Sequence, residues 1–214
     1  MRRTPDSKGH ESEREADMNS LVRNIRETKI DPVTSADNFR SAMRSLAGGV
    51  SVITVGRGND LSGMTVTSVS SLSVEPATLI VSINRQASSW PLLQKHGVFG
   101  VNILSADHVD MAERFSGIGG LKGAERFAGA EWISLASGVP LLAGALAAFD
   151  CEVEHVVERH SHAIVIGRVL DLRVSSGKPA LTYWQGQYVA LDQNEDAARL
   201  AEVSLPTRRA LWQI

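Results

Sequence analysis

The sequence predicts a mainly β domain with flanking helices, arranged as a closed antiparallel barrel in preference to a doubly wound sheet. Three observations carry this: strand-like segments dominate the order, the helical segments stand isolated between them, and no steady βαβ alternation occurs. The 214 residues are 43% hydrophobic and 21% charged, enough apolar material for one sizeable core.

The elements follow in chain order. Thr34-Ser35-Ala36-Asp37 reads as a helix start, a hydroxyl cap before an acidic first turn, and Phe39, Ala42, Met43 and Leu46 give that helix one apolar stripe. Gly48-Gly49 is expected to end it, because glycine accepts the left-handed conformation at a helix C-terminus. Residues 50–55 (VSVITV) are rich in β-branched side chains and run into the turn cluster Gly56-Arg57-Gly58-Asn59-Asp60, so a hairpin should return through Gly63 to Ser73. The nearly continuous apolar run 77–84 (ATLIVSIN) predicts a central strand covered on both faces.

Ser88-Ser89-Trp90-Pro91 opens a short helix, with serine as cap and proline in the first turn, and Gly97 closes it. Residues 98–104 (VFGVNIL) form a strand, Ser105 caps a helix carrying Met111, Ala112 and Phe115 on one side, and the glycine-rich stretch 117–123 is a loop. Strand pattern resumes over 141–158, with Cys151, Val153, His155 and Val157 on one face and Glu152, Glu154 and Glu158 on the other. Arg159-His160-Ser161 turns the chain into a strand at 162–174, and a last hairpin over 183–191 turns at Gln185-Gly186. One domain over 36–192 results. Residues 1–35 are too polar to bury much surface and read as a mobile N-terminal extension, while 193–214 read as a C-terminal tail, helical at most between Glu195 and Val203.

Composition narrows the function classes. A net charge of −2 offers no basic excess for nucleic acid or an anionic membrane. Cys151 is the only cysteine, so no intrachain disulfide can form and thiol-rich zinc spacings are absent. Residues 1–17 lack the apolar run of a secretory signal and no stretch approaches the ~20 apolar residues of a membrane span, which predicts a cytoplasmic protein.

Two segments carry candidate chemistry. Residues 65–71 (TVTSVSS) are rich in hydroxyls and small groups, so the backbone can lie against a flat polar ring and hydrogen-bond its edge; taken alone, a strand facing water explains them as well. Asn84-Arg85 followed by Ser88-Ser89 at a helix start gathers a guanidinium, hydroxyls and free N–H groups, a combination suited to phosphate; taken alone, a serine cap and a surface arginine explain it as well. Together they describe a mononucleotide site. His155, His160 and His162 invite a metal, but strand alternation and the intervening turn separate them, so no metal is predicted. The stretch 117–123 (GIGGLKG) follows a helix and misplaces its third glycine for a dinucleotide loop, and no G-x-S-x-G elbow exists.

The runs FRSAMRSLAGGVSVITV, GMTVTSVSSLSVEPATLIVSINRQASSW, FGVNIL, AERFSG, HAIVIGRV and YWQGQY occur in an order and spacing that resembles the short-chain flavin reductases, the reductase components of two-component flavin-dependent monooxygenases. The likeness covers residues 38–191. It implies an FMN-binding split β-barrel of antiparallel Greek-key type, a homodimer, and flavin held near the subunit interface. The resemblance further implies that Thr65, Thr67, Ser68 and Val69 line the isoalloxazine, with Ile83 and Asn84 on the next strand. Ser88, Ser89 and Trp90 match the phosphate-side turn, Phe115 an aromatic of the AERF motif, and Tyr188 the aromatic closing the pocket. Relatives carry a Gly-Asp-His triplet whose histidine seats the nicotinamide; here it reads His160-Ser161-His162, so only His162 matches.

The implied activity is hydride transfer from NADH or NADPH to FMN or FAD, with reduced flavin diffusing to a partner monooxygenase. Because the cofactors carry the reactivity, alignment is expected of the protein and no essential acid or base. The alternatives are a flavin-binding split-barrel protein without reductase activity and a flavin-dependent oxidase of the same fold.

Overall fold

The structure, a computed structural model, describes residues 34–175 and 177–192. Both terminal segments assigned above lie almost wholly outside the described residues. The chain divides into two compact units, residues 1–41 and 42–214. Of the first, residues 34–41 are described: they begin helix α1 (Ala36–Met43), capped by the Ser35 hydroxyl, which accepts from the Asn38 N–H at 3.1 Å. The expected apolar stripe faces outward, with Phe39, Met43 and Leu46 all exposed. The helix also stops earlier than Gly48-Gly49. Those two glycines form β1 (Gly48–Gly49), pairing with Tyr183 and Thr182, because a residue without Cβ can approach Thr67, whose Cβ lies only 3.1 Å from where a Gly48 side chain would begin.

The larger unit continues with β2 (Ser51–Arg57), β3 (Asp60–Val66), β4 (Ser70–Val74) and β5 (Ala77–Asn84), then α2 (Trp90–His96), β6 (Val98–Ile103) and α3 (Val109–Ser116). It ends with β7 (Trp132–Ser134), β8 (Pro140–Leu142), β9 (Ala147–Arg159), β10 (His162–Val174), β11 (Ala180–Trp184) and β12 (Gln187–Leu191). Seven strands form one antiparallel sheet in the order β3-β2-β6-β9-β10-β5-β4. The predicted return strand to Ser73 is therefore two strands, which occupy opposite edges of that sheet.

This placement forces closure. Only residues 67–69 join β3 to β4, a link spanning at most about 14 Å, whereas the edges of a flat seven-stranded sheet would stand about 29 Å apart. The sheet must curl until its edges nearly meet, and the link lies against β5, where the Ser68 hydroxyl donates to the Ser82 carbonyl at 2.9 Å. The result is a split barrel, with hairpins joined by longer crossings in Greek-key manner.

Two apolar clusters flank the strands. Ile53, Val55, Leu79, Val81, Ile83, Phe99, Val101, Ala163 and Val165 converge inside the barrel with Trp90 and Leu93 of α2. Val50, Val52, Leu104, Met111, Phe115, Phe127 and Leu141 form the second cluster, between the outer face of β2 and the cover of α3 and β8. Within the seven-stranded sheet the strands buried on both faces are thus β2 and β6, not β5, which lies next to the β4 edge. Its apolar run reflects one interior face plus a lightly covered outer one.

The face assignment for β9 also changes halfway. Val153 pairs with Gly167 and His155 with Ile166, which leaves Glu154 as an extra residue in a bulge. One inserted residue exchanges inner and outer positions, so Val156 packs toward the barrel core while His155 and Val157 point outward. Gly167 marks the tightest contact of this region: a Cβ there would meet Phe99 Cζ at 2.3 Å, inside a fully buried ring. Gly167→Ala should therefore lower stability by about 2–3 kcal/mol through overpacking, read as a reduced midpoint in chemical denaturation; an unchanged midpoint would refute that contact.

Candidate functional site

The end of β3 stands between two cavities. The larger, about 660 Å³, is walled by Val50, residues 65–67, Glu113 and Ser116 of α3, Ile118, and Tyr183, Gly186, Gln187 and Tyr188 of the last hairpin. The smaller, about 300 Å³, is walled by residues 64–68, Ser82 and Asn84 of β5, and His162 at the start of β10. Thr65, Val66 and Thr67 line both, so the two cavities flank the strand end at the split of the barrel.

Local structure explains each wall. The Thr65 hydroxyl donates to the Ala112 carbonyl at 2.6 Å, holding β3 to α3 and bringing Glu113 to the larger cavity. Consecutive left-handed residues, Gln185 (φ 50°) and Gly186 (φ 83°), make the tight hairpin turn that aligns Tyr183 with Tyr188, their rings 5.3 Å apart. Burial raises the Tyr188 phenol above its usual pKa, and the neighbouring Tyr183 and Glu113 act in the same direction, so it remains a protonated donor. In the smaller cavity His162 sits directly opposite Asn84 in the β5–β10 register. Its Nδ1 lies 2.9 Å from the Ser161 hydroxyl.

The expected site residues divide into three groups. Thr65, Thr67, Ser68, Asn84, His162 and Tyr188 line the cavities. Val69 packs partly against the interior core, and the side chains of Ile83, Trp90 and Phe115 are buried within the two cores. Phe115 stacks edge-on to Phe127 with centroids 5.1 Å apart, so its role in the fold is to carry α3. Ser88 and Ser89 lie beside β3: the Ser88 and Ser62 hydroxyls are 3.3 Å apart, and Ser89 Oγ donates to Met64 Sδ at 3.9 Å. Met64 in turn lines the smaller cavity.

Two details of the phosphate-side turn differ from expectation. Ser89 precedes α2 with helical backbone angles and no side-chain cap, because its hydroxyl is turned toward Met64. Arg85 does not project toward the serines. Its Nη2 pairs with Glu158 Oε2 at 2.6 Å and its Nη1 donates to the His160 carbonyl at 3.2 Å. Sequence reasoning also passed over Glu113, Ser116 and Gln187. The first lies inside the AERF run already singled out for its phenylalanine, and since Met111 and Phe115 face the core, Glu113 had to face elsewhere.

Among the described residues, no group of three or more His, Cys, Asp or Glu could hold a metal ion. Burial, reinforced by Asp150, pushes the Cys151 thiol up to about 12, so it is no nucleophile. The two cavities thus offer hydroxyl and amide groups, one histidine, one carboxylate and aromatic rings. Such a lining has the chemistry to hold a flat polar molecule, and the larger cavity has the volume of a cofactor site.

A split barrel with hydroxyl-lined cavities at its seam is the architecture of a flavin-handling protein. The chain belongs to the flavin reductase like domain family, whose model matches residues 43–192. It is 41% identical over 165 residues to FMN reductase (NADH) RutF 2 of Methylorubrum extorquens strain PA1, covering 75% of this chain and 93% of that protein. Among solved structures it resembles BorF, the flavin reductase component of a bacterial two-component tryptophan halogenase (TM-score 0.68, 32% identity, 73% of this chain and 98% of that one). It also resembles the Streptomyces globisporus C-1027 NADH:FAD oxidoreductase SgcE6 in complex with NAD and FAD fragments (TM-score 0.68, 25% identity, 77% and 99%).

Proposed function

We propose that this protein is an NADH:flavin oxidoreductase that reduces FMN or FAD and supplies the reduced flavin to a separate flavin-dependent oxygenase. The observation that carries the reading is the pair of cavities flanking Thr65, Val66 and Thr67, the larger roomy enough for a flavin ring and the smaller, beside His162, suited to a second planar ligand. NADH over NADPH follows the activity named for the 41%-identical relative. When bound, the flavin supplies the hydride-accepting chemistry.

The chain's own residues bind and orient. Thr67 and Ser68, with the backbone around them, would hold the ring edge, and the exposed Ser88 would supply the phosphate side, with the fully buried Ser89 supporting it through Met64, since the N–H groups of Arg85, Gln86, Ala87 and Trp90 are engaged within the fold. Tyr188 closes the larger cavity as a neutral donor, and His162 orients the nicotinamide from the smaller one. Ile83, Trp90 and Phe115 support this arrangement from the core. These residues would hold both rings in register, which is the protein's contribution to the rate, so no side chain need move a proton in the slow step.

A homodimer fits the outer face of the sheet. Val157 and Ile164 are 38% and 42% exposed and pair across β9–β10, and Ile166 and Ile80 extend the same face. An apolar face next to a ligand cavity suits a second copy of the chain. No helix among the described residues is long and apolar enough to cross a membrane. A cytoplasmic location accords with the single cysteine and with the need for a diffusible nicotinamide donor.

Titrating FMN and FAD while following NADH and NADPH consumption tests the proposal. Turnover with NADH and a flavin is expected, with sedimentation giving twice the chain mass. If no pyridine nucleotide is consumed with any flavin, the reductase reading fails; oxygen uptake without nicotinamide would point to an oxidase of this fold.

A further inference from the structure

We infer that Arg85 is a positioning residue that acts through His162 and not on the ligand, an assignment that rests on the reading of His162 as the nicotinamide-orienting side chain. The sequence places Arg85 beside two serines, where a guanidinium would serve a phosphate. The fold uses it otherwise. Three contacts run from this one residue to the β9–β10 turn: its backbone N–H donates to the Ser161 carbonyl at 2.9 Å, Nη1 donates to the His160 carbonyl at 3.2 Å, and Nη2 pairs with Glu158 Oε2 at 2.6 Å.

That turn needs holding. His160 sits at φ 51°, in the left-handed region where a residue with a Cβ is strained, and the turn ends on His162. Fixing the carbonyls of His160 and Ser161 sets the backbone entering β10. The Ser161 hydroxyl, 2.9 Å from His162 Nδ1, then sets the imidazole, leaving Nε2 as the ring nitrogen without that bond. The chain Glu158–Arg85–His160/Ser161–His162 therefore ends on a wall of the smaller cavity, and Arg85 itself lines neither cavity. A partly exposed ion pair contributes little to global stability, so removing the guanidinium should leave the fold intact.

The test is a double-mutant cycle on the full chain with NADH as variable substrate, comparing Arg85→Met, Arg85→Lys, His162→Ala and Arg85→Met/His162→Ala. Misplacing an orienting group should raise the KM for NADH about 10-fold in Arg85→Met, while the Kd for FMN, read by fluorescence titration, stays within about 2-fold. Arg85→Lys, able to pair with Glu158 but without the planar fork, should recover part of the loss. In the His162→Ala background Arg85→Met should add nothing, because the group through which it acts is gone. Additive effects, or a weakened FMN affinity in Arg85→Met, would overturn the inference and make Arg85 a ligand-binding cation while leaving the reductase activity standing. A His162→Ala protein with unchanged KM would instead remove the basis in His162 and overturn it from that side.

Discussion

Replacing Asn102 with alanine should cost about 3–5 kcal/mol of unfolding free energy, the largest loss expected from any single polar side chain of the barrel. Asn102 is fully buried, its Nδ2 donating to the Val52 carbonyl at 3.0 Å and its Oδ1 accepting from the Leu142 N–H at 2.6 Å. Beside it the Thr54 hydroxyl donates to the Pro140 carbonyl at 2.5 Å. These bonds fasten β8, a three-residue segment, across β2 and β6. Alanine leaves the buried Leu142 N–H unpaired at about 1–3 kcal/mol, removes a second donor from the Val52 carbonyl, and adds the cavity of the lost amide. For a domain of this size that corresponds to a fall in Tm of about 10 °C, measurable by calorimetry. Arg168→Ala, which breaks the exposed Arg168–Glu152 pair, is the control and should cost no more than about 1 kcal/mol. Equal losses at the two positions would mean that the buried amide does not fasten β8.

The second large effect should appear in binding and not in stability. Thr67 is exposed, lies in the link between β3 and β4, and lines both cavities. Thr67→Phe should therefore fold normally while adding bulk to the wall of both cavities, raising the Kd for FMN by about 100-fold or more, equivalent to ~2.8 kcal/mol. Thr67→Val separates shape from hydrogen bonding: it keeps the volume and removes the hydroxyl, for which about 3- to 10-fold is expected. The comparison decides which property of Thr67 matters. FMN binding of wild-type strength by Thr67→Phe would place the flavin outside these cavities.

Much of this site was readable in the chain because hydroxyl-rich and turn-forming segments announce themselves locally. Thr65, Thr67, Ser68 and Asn84 come from segments recognised by their own composition, whereas His162 and Tyr188 were expected only from the family resemblance. Glu113 was not found, since an acidic residue on an amphipathic helix carries the same local signal whether it faces water or a cavity. Arg85 shows the converse. Its neighbours in sequence suggest a phosphate, but its partners in space, Glu158 and His160, lie over 70 residues away.

Local chemistry alone determined where β-branched runs become strands, where Gly97 and Gly186 turn the chain, and which face of α3 is apolar. Those properties depend on a few adjacent residues and on the periods 2 and 3.6. Tertiary structure alone decided that β3 and β4 stand at opposite sheet edges brought together by a three-residue link, and that the bulge at Glu154 reverses the faces of β9. Pairing register and closure arise from contacts distant in sequence, and a shift of a single residue moves every following side chain to the other face.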